Sequence, residues 1–170
     1  PRPKAGPDCS TVTPAHAMSC DRAMTTIQPE YSVRPVTPAD ADAVAGLSLR
    51  VFGPGRFVRT AYRIREGTPF ASRWCRAVWR DGRVIAAIRM TPVTVGGRGG
   101  ALLLGPLAVD PDFANQGFGR RLIAESTEAA RADGIRVILL VGNMSYYGRL
   151  GYVPVLPPGR IQFPGPVAPA

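Results

Sequence analysis

The sequence predicts a mixed α/β domain built on one central sheet. Three observations predict it. Apolar residues recur with strand-like and helix-like periods in turn from Tyr31 to Leu156. Asp81-Gly82 and Gly96-Gly97-Arg98-Gly99-Gly100 separate strand-like segments as hairpin turns would. Two strongly apolar stretches, Ala101–Val109 and Arg136–Val141, flank one amphipathic helix. Such a strand–helix–strand unit crosses over right-handed, which makes its two strands parallel.

The elements follow in order. Tyr31–Val36 alternates and reads as a strand. Thr37 is the expected N-cap and Pro38 the first position of a helix running to about Val51, with Ala41, Val44, Ala45 and Leu47 at helical spacing. Gly53-Pro54-Gly55 breaks it. A second helix is predicted over Arg56–Glu66, with Arg56, Arg59 and Arg63 on one face. Trp74–Arg80 and Arg83–Val95 form a hairpin, and Ala101–Val109 is a strand buried on both faces. Gly117–Asp133 is a helix whose Phe118, Leu122, Ile123, Ala129 and Ala130 share a face, and Gly134 stops it. Arg136–Val141 is a strand, Asn143–Leu150 a short helix capped by Asn143 and stopped by Gly151, and Tyr152–Leu156 a last strand. A short edge strand near Arg160–Phe163 would close the chain. Phe52, Phe57, Tyr62 and Phe70 either pack the core or line a pocket.

Composition excludes several classes. The chain has 170 residues, 45% apolar and 19% charged, which suits one packed domain. No apolar run approaches the ~18 residues of a membrane span. Twenty-one basic and twelve acidic side chains leave a net charge of +9. That surplus fits a polyanionic partner or a solvated basic surface. The arginines are spread along the chain instead of forming a stripe interleaved with aromatics, so nucleic-acid binding ranks last. Cys9, Cys20 and Cys75 show no paired spacing, and the single His16 lies outside the patterned body. No zinc site and no His-dependent nucleophile follows from them. Three unpaired cysteines suit a reducing compartment, which points to the cytoplasm, and Cys75 reads as a buried strand residue. Residues 1–29 carry five prolines without apolar periodicity or a signal-like apolar region, and read as a flexible leader or upstream extension. Met24 is the candidate natural start.

The stretch that carries chemistry is Val109-Asp110-Pro111-Asp112-Phe113-Ala114-Asn115-Gln116-Gly117-Phe118-Gly119-Arg120-Arg121-Leu122, between a buried strand and a helix. Gly117 and Gly119 let the backbone approach a ligand, and the helix start adds unpaired N–H groups and partial positive charge. Together they suit an anion, best a diphosphate, with Arg120 and Arg121 beside it. A P-loop would need Lys-Ser/Thr where Arg120-Arg121 stand, and a dinucleotide fingerprint a third glycine where Leu122 stands. A tight strand-to-helix turn without a ligand is the competing reading.

In this context, from about Tyr31 to Leu156, the chain resembles the GNAT superfamily of N-acetyltransferases. The signature Q/R-x-x-G-x-G/A falls on Ala114 to Gly119, with Ala114 a departure that loses a side-chain contact and for which Gln116 can compensate. The signature Y-x-x-x-G-F/Y falls on Tyr147 to Tyr152, and the segments Leu104–Val109 and Leu140–Tyr152 look like a bacterial subgroup of predicted acetyltransferases. The resemblance implies a mostly antiparallel mixed sheet, a V-shaped splay between its two parallel central strands, and about four flanking helices. It divides the chain into the leader and an acetyltransferase domain over residues 30–170, ending in an irregular proline-rich segment. It implies acetyl-coenzyme A as acyl donor, no metal, and a primary amine of a small molecule or peptide as acceptor, attacking directly in a ternary complex. The cofactor-binding positions would be Leu107, Ala108, Val109, Asn115, Gln116, Gly117, Phe118, Gly119, Arg120, Asn143 and Tyr147. Leu107 would hold the thioester oxygen through its N–H, and Tyr147 would protonate the leaving thiolate. Tyr146 packs or lines the acyl pocket, and Asn143 caps its helix. No general base is assigned; Asp110, Glu66, Glu30 and a water chain stay open. The resemblance alone points to a homodimer. An acyl-coenzyme A-binding module of the same fold without catalysis is the alternative, and neither nucleic acid nor a membrane is expected as a partner.

Overall fold

Two pairs of residues with positive φ reverse the chain at the centre of the fold. The computed structural model describes residues 31–55 and 64–162. Asp81 (φ 49°) and Gly82 (φ 73°) join β2 (Arg76–Arg80) to β3 (Arg83–Val95), with Arg80 paired to Arg83. Gly96 (φ 57°) and Gly97 (φ 75°) join β3 to β4 (Arg98–Val109), with Val95 opposite Arg98. Positive φ at both central residues is what a two-residue hairpin turn of right-handed strands requires. Two glycines complete the second turn, so Arg98–Gly100 extend β4 instead of lying in the turn as expected.

With β1 (Ser32–Pro35) and β5 (Val137–Leu139) these strands form one sheet in the order β1-β2-β3-β4-β5. All neighbours are antiparallel except β4 and β5, which are parallel as the crossover requires. The crossover helix is α2 (Phe118–Ala132), preceded by Gly117 at φ 84° and ended at Gly134. Helix α1 (Ala41–Phe52) follows a 3-10 turn over Pro38–Asp40. Asp40 secures its entry: its carboxylate accepts from Thr37 N–H and Oγ–H, both at 2.8 Å, and from Arg34 at 2.8 and 2.9 Å. Helix α3 (Met144–Tyr147) is a single turn continued by a 3-10 turn to Leu150.

The core lies on both faces of β3 and β4. Ile85, Ile88, Met90, Leu102 and Leu103 are buried there, and Leu47 of α1 and Leu122, Ser126 and Ala130 of α2 close it. Cys75 is buried as expected, but just ahead of β2; its Sγ accepts from the N–H groups of Ser72 and Met90, both at 3.3 Å.

Two sequence expectations change. Tyr152–Leu156 forms no strand: Pro154 lacks the N–H an interior strand needs, β5 offers only three residues to pair with, and Val153 is 81% exposed. Val137, Val141, Val155 and Leu156 are exposed with it. Residues 160–162 form no strand either, and 163 lies outside the described residues. The predicted helix over Arg56–Glu66 falls mostly outside the described residues; 64–67 form a turn. Cys9, Cys20, His16 and Glu30 also lie outside them.

Candidate active site

The site begins where two parallel strands stop pairing. β5 pairs with β4 only over Ala101–Leu103, while β4 continues to Val109. The β3–β4 register shifts between Ile88 and Met90, so β4 carries one extra residue around Gly105-Pro106. Beyond that bulge, Leu107 lies opposite Ile88, and Asp110 N–H donates to Ile85 O at 2.8 Å. Backbone groups alternate along an antiparallel strand. Asp110 and Ala108 therefore direct theirs at β3, and Leu107 and Val109 direct theirs at the open edge. Of the three adjacent positions flagged in the sequence, two present backbone groups outward, and Ala108 is buried and contributes position.

The open edge runs into the start of α2. Asn115 (φ 61°) and Gly117 (φ 84°) are both left-handed, and the exposed turn over residues 114–117 delivers the chain to the helix. Asparagine tolerates that conformation better than most side chains, and glycine adopts it without strain. Phe118 is buried and meets Tyr31 edge-on at 4.9 Å, so its ring anchors the helix and only its N–H faces the turn's chemistry. A Cβ on Gly119 would lie 2.9 Å from Tyr146 Oη, 3.5 Å from Leu107 Cδ2 and 3.6 Å from Val109 Cγ2. Helix start, strand edge and a tyrosine hydroxyl thus converge on one glycine. The two arginines flagged beside the turn differ: Arg121 pairs with Glu125 at 2.9 Å, while Arg120 is exposed with no ion pair among the described residues.

Asn143 is the cap the sequence suggests: its Oδ1 accepts from Ser145 N–H at 2.8 Å. It orients a helix that carries two tyrosines to different places. Tyr147 lays its ring so closely on Gly142 that any Cβ there would collide with Cδ2 and Cε2. Its ring meets those of Tyr146 and Tyr152 edge-on at 5.0 and 5.9 Å. Burial pushes the Tyr147 phenol above its usual value, and Tyr146 and Tyr152 push the same way. It therefore keeps its proton across the neutral and mildly alkaline range, as a proton donor must. Tyr146 instead brings its hydroxyl to Gly119, a position the sequence left undecided between packing and an acyl pocket.

The carboxylates left open as bases separate as well. Asp110 is 3% exposed, pairs with Arg83 and, at 3.4 Å, with Arg50, and accepts from Asp112 N–H. It pins α1, β3 and the turn below α2 together. Glu66 is exposed and lines a cavity of about 360 Å³ on the other side of the bulge, between α1, β3 and residues 65–75. Pro106 of the bulge and Ile88, the partner of Leu107, both line it. Of the four aromatic residues considered for a pocket, Phe70 lines this cavity, Phe52 packs on the core, and Phe57 and Tyr62 lie outside the described residues. Its walls come from five separate stretches between residues 36 and 106, which is why no motif announced it.

Among the described residues no cluster of His, Cys, Asp or Glu could hold a metal, and no helix is long and apolar enough to cross a membrane. Residues 44–152 match the family model described as the acetyltransferase (GNAT) family. The uncharacterized N-acetyltransferase YhbS of Escherichia coli K12 is 27% identical over 121 residues, 71% of this chain and 72% of that protein. The uncharacterized N-acetyltransferase YjhQ of the same strain is 28% identical over 134 residues, 75% of this chain and 71% of that protein. Among solved structures, a GNAT family acetyltransferase from Brucella melitensis in complex with acetyl-CoA superposes with a TM-score of 0.63 at 26% identity, covering 75% of this chain and 85% of that one. The structure of Escherichia coli YhbS in complex with CoA gives the same TM-score and identity, covering 73% of this chain and 69% of that one. On the family match and on these likenesses, the chain belongs to the GNAT acetyltransferase family.

Proposed function

We propose that the protein is an acetyl-coenzyme A-dependent N-acetyltransferase that acts on the primary amine of a small molecule or peptide by direct attack in a ternary complex. One observation carries the reading: the edge of β4 beyond Leu103 is open, presents the outward backbone groups of Leu107 and Val109, and leads into the N-terminus of α2 at Gly117–Gly119. An extended diamide arm can pair with such an edge as a further strand. The turn and helix start suit its diphosphate, with Arg120 beside them. Solved relatives at 26% identity hold acetyl-CoA or CoA, which supports the same donor here.

The residues divide the chemistry. Leu107 N–H receives the thioester oxygen as negative charge develops on it. The acceptor nitrogen forms its bond to the acetyl carbon as the carbon–sulfur bond breaks. Tyr147 supplies a proton to the departing thiolate, a role for which its raised pKa keeps it loaded. Glu66, facing the cavity beside the bulge, takes the proton the amine gives up, directly or through water. Residues 30–170 form the catalytic unit in this reading, working in a bacterial cytoplasm as its bacterial relatives suggest.

Calorimetric titration with acetyl-coenzyme A, with ATP and NAD as controls, tests the reading. Micromolar binding of acetyl-coenzyme A alone is expected; its absence would remove the function and leave the fold. Ala114, where the family signature carries Gln or Arg, favours one alternative, a binding module without turnover. Tyr147→Phe separates the two, because only an enzyme has turnover to lose.

A further inference from the structure

We propose that Tyr146 is a donor-binding residue whose hydroxyl donates a hydrogen bond to the diphosphate of acetyl-coenzyme A at the start of α2. The proposal rests on the acetyltransferase reading and adds a residue to its donor site. Tyr146 stands outside the family signature, which begins at Tyr147. The two tyrosines are neighbours on one helical turn and so point about 100° apart. Tyr147 lays its ring on Gly142, whereas Tyr146 carries its hydroxyl across to α2. A Cβ on Gly119 would lie 2.9 Å from that hydroxyl, and 3.5 and 3.6 Å from Leu107 Cδ2 and Val109 Cγ2. In a helix the Cα–Cβ bond tilts toward the N-terminus, so the point where these groups meet is at the mouth of α2. The first intrahelical bond there is Arg121 N–H to Gly117 O at 3.0 Å. It leaves the N–H groups of Phe118, Gly119 and Arg120 ahead of it without an intrahelical acceptor.

Packing does not account for the hydroxyl. The ring of Tyr146 meets that of Tyr147 edge-on at 5.0 Å, a contact that phenylalanine would make equally well. Tyr146 is 42% exposed, and its Oη has no hydrogen-bond partner among the described residues. The foot of the side chain is fixed: Asn143 caps α3 by accepting from Ser145 N–H at 2.8 Å, and Tyr146 N–H donates to Asn143 O at 3.1 Å. A free O–H donor is thus held at the same helix mouth as the unpaired N–H groups. A diphosphate offers acceptor oxygens to both, and hydrogen bonds to an ionised acceptor are the strong ones. An arm laid along Leu107 and Val109 arrives at this point, because both side chains border it. The same contact requires glycine at 119, since a methyl group there would displace the hydroxyl.

Tyr146→Phe tests the assignment, because it removes the hydroxyl and keeps the half-exposed ring on which the packing depends. Acetyl-coenzyme A binding is measured by calorimetry on the unaltered protein and on the variant. The phosphorus NMR spectrum of coenzyme A bound to each is then recorded, which reads the diphosphate and the separate phosphate on the ribose independently. The expected result is about tenfold weaker binding by the variant, the loss of one hydrogen bond to a charged group. The bound diphosphate resonances should shift between the two proteins, and the ribose phosphate resonance should not. Binding by the variant within about twofold of the unaltered protein overturns the assignment while leaving the acetyltransferase standing. Weaker binding with the diphosphate resonances unmoved overturns it as well, because the hydroxyl would then act elsewhere than on the diphosphate. Failure of the unaltered protein to bind acetyl-coenzyme A instead removes the donor site, and the role of Tyr146 goes with it.

Discussion

The two sides of the β4 bulge are built from different material. Toward α2 the site is backbone: outward groups of Leu107 and Val109, a turn with two left-handed residues, and a helix start over Gly119. Toward α1 it is side chain: an apolar wall, two arginines and a glutamate drawn from five stretches of chain. A backbone site is fixed by register and tolerates most changes of side chain. A side-chain site keeps its position while its chemistry changes residue by residue. The donor half of the fold is therefore expected to be common property of relatives, and the acceptor half to be particular to this chain.

Five variants break or sharpen that contrast. The largest effect is expected from Leu107→Pro, which removes a donor that β3 does not use. Turnover should fall by about 10²–10³ for every acceptor, beyond the lowering of melting temperature expected from removing a side chain packed on the core. A loss that varies with the acceptor would erase the contrast. Next is Tyr147→Phe, expected to lower kcat about 10²-fold without weakening acetyl-coenzyme A binding. Its pH profile carries the sign: because the Tyr147 pKa is raised, the unaltered enzyme should decline on the alkaline side only beyond the ordinary phenol value of about 10, and the variant should lack that decline. Gly142→Ala, which drives a methyl group into the same ring, should reproduce much of the loss.

On the acceptor side, Ala45→Phe fills part of the cavity from the exposed face of α1. Large acceptors should lose about tenfold in kcat/KM, small ones little, and acetyl-coenzyme A affinity should not move. The smallest effect concerns stability. Arg34 and the Thr37 N–H hold the Asp40 carboxyl well below the usual carboxylate range. A depressed pKa contributes stability that is present above the unfolded value near ~3.9 and is lost as pH falls through the folded value. Asp40→Asn should therefore flatten the acid side of the stability curve, read as a smaller drop in melting temperature below about pH 4.

Legibility followed the same division. The hairpins at Asp81-Gly82 and Gly96-Gly97, the crossover helix and the turn at Gly117–Gly119 were readable because glycine spacing and apolar period report backbone geometry directly. Asp110 could not be judged from sequence, since one of its partners, Arg50, stands sixty residues away and folding alone brings it near. The same holds for Glu66 and the cavity, whose walls have no common spacing. The failed strand at Tyr152–Leu156 marks a third limit: the segment reads as a strand, but Pro154 and the shortness of β5 left it without a partner.

The exposed valines and leucine that follow from that failure govern how the molecule behaves in concentrated solution. Val137, Val141, Val153, Val155 and Leu156 are apolar surface that water would rather not wet, on a chain that carries +9. Mutual repulsion among like-charged molecules keeps such surfaces apart, over about 10 Å at 0.1 M salt and about 3 Å at 1 M. Solubility should therefore fall as salt is raised, and a dilute buffer is the better medium for handling the protein.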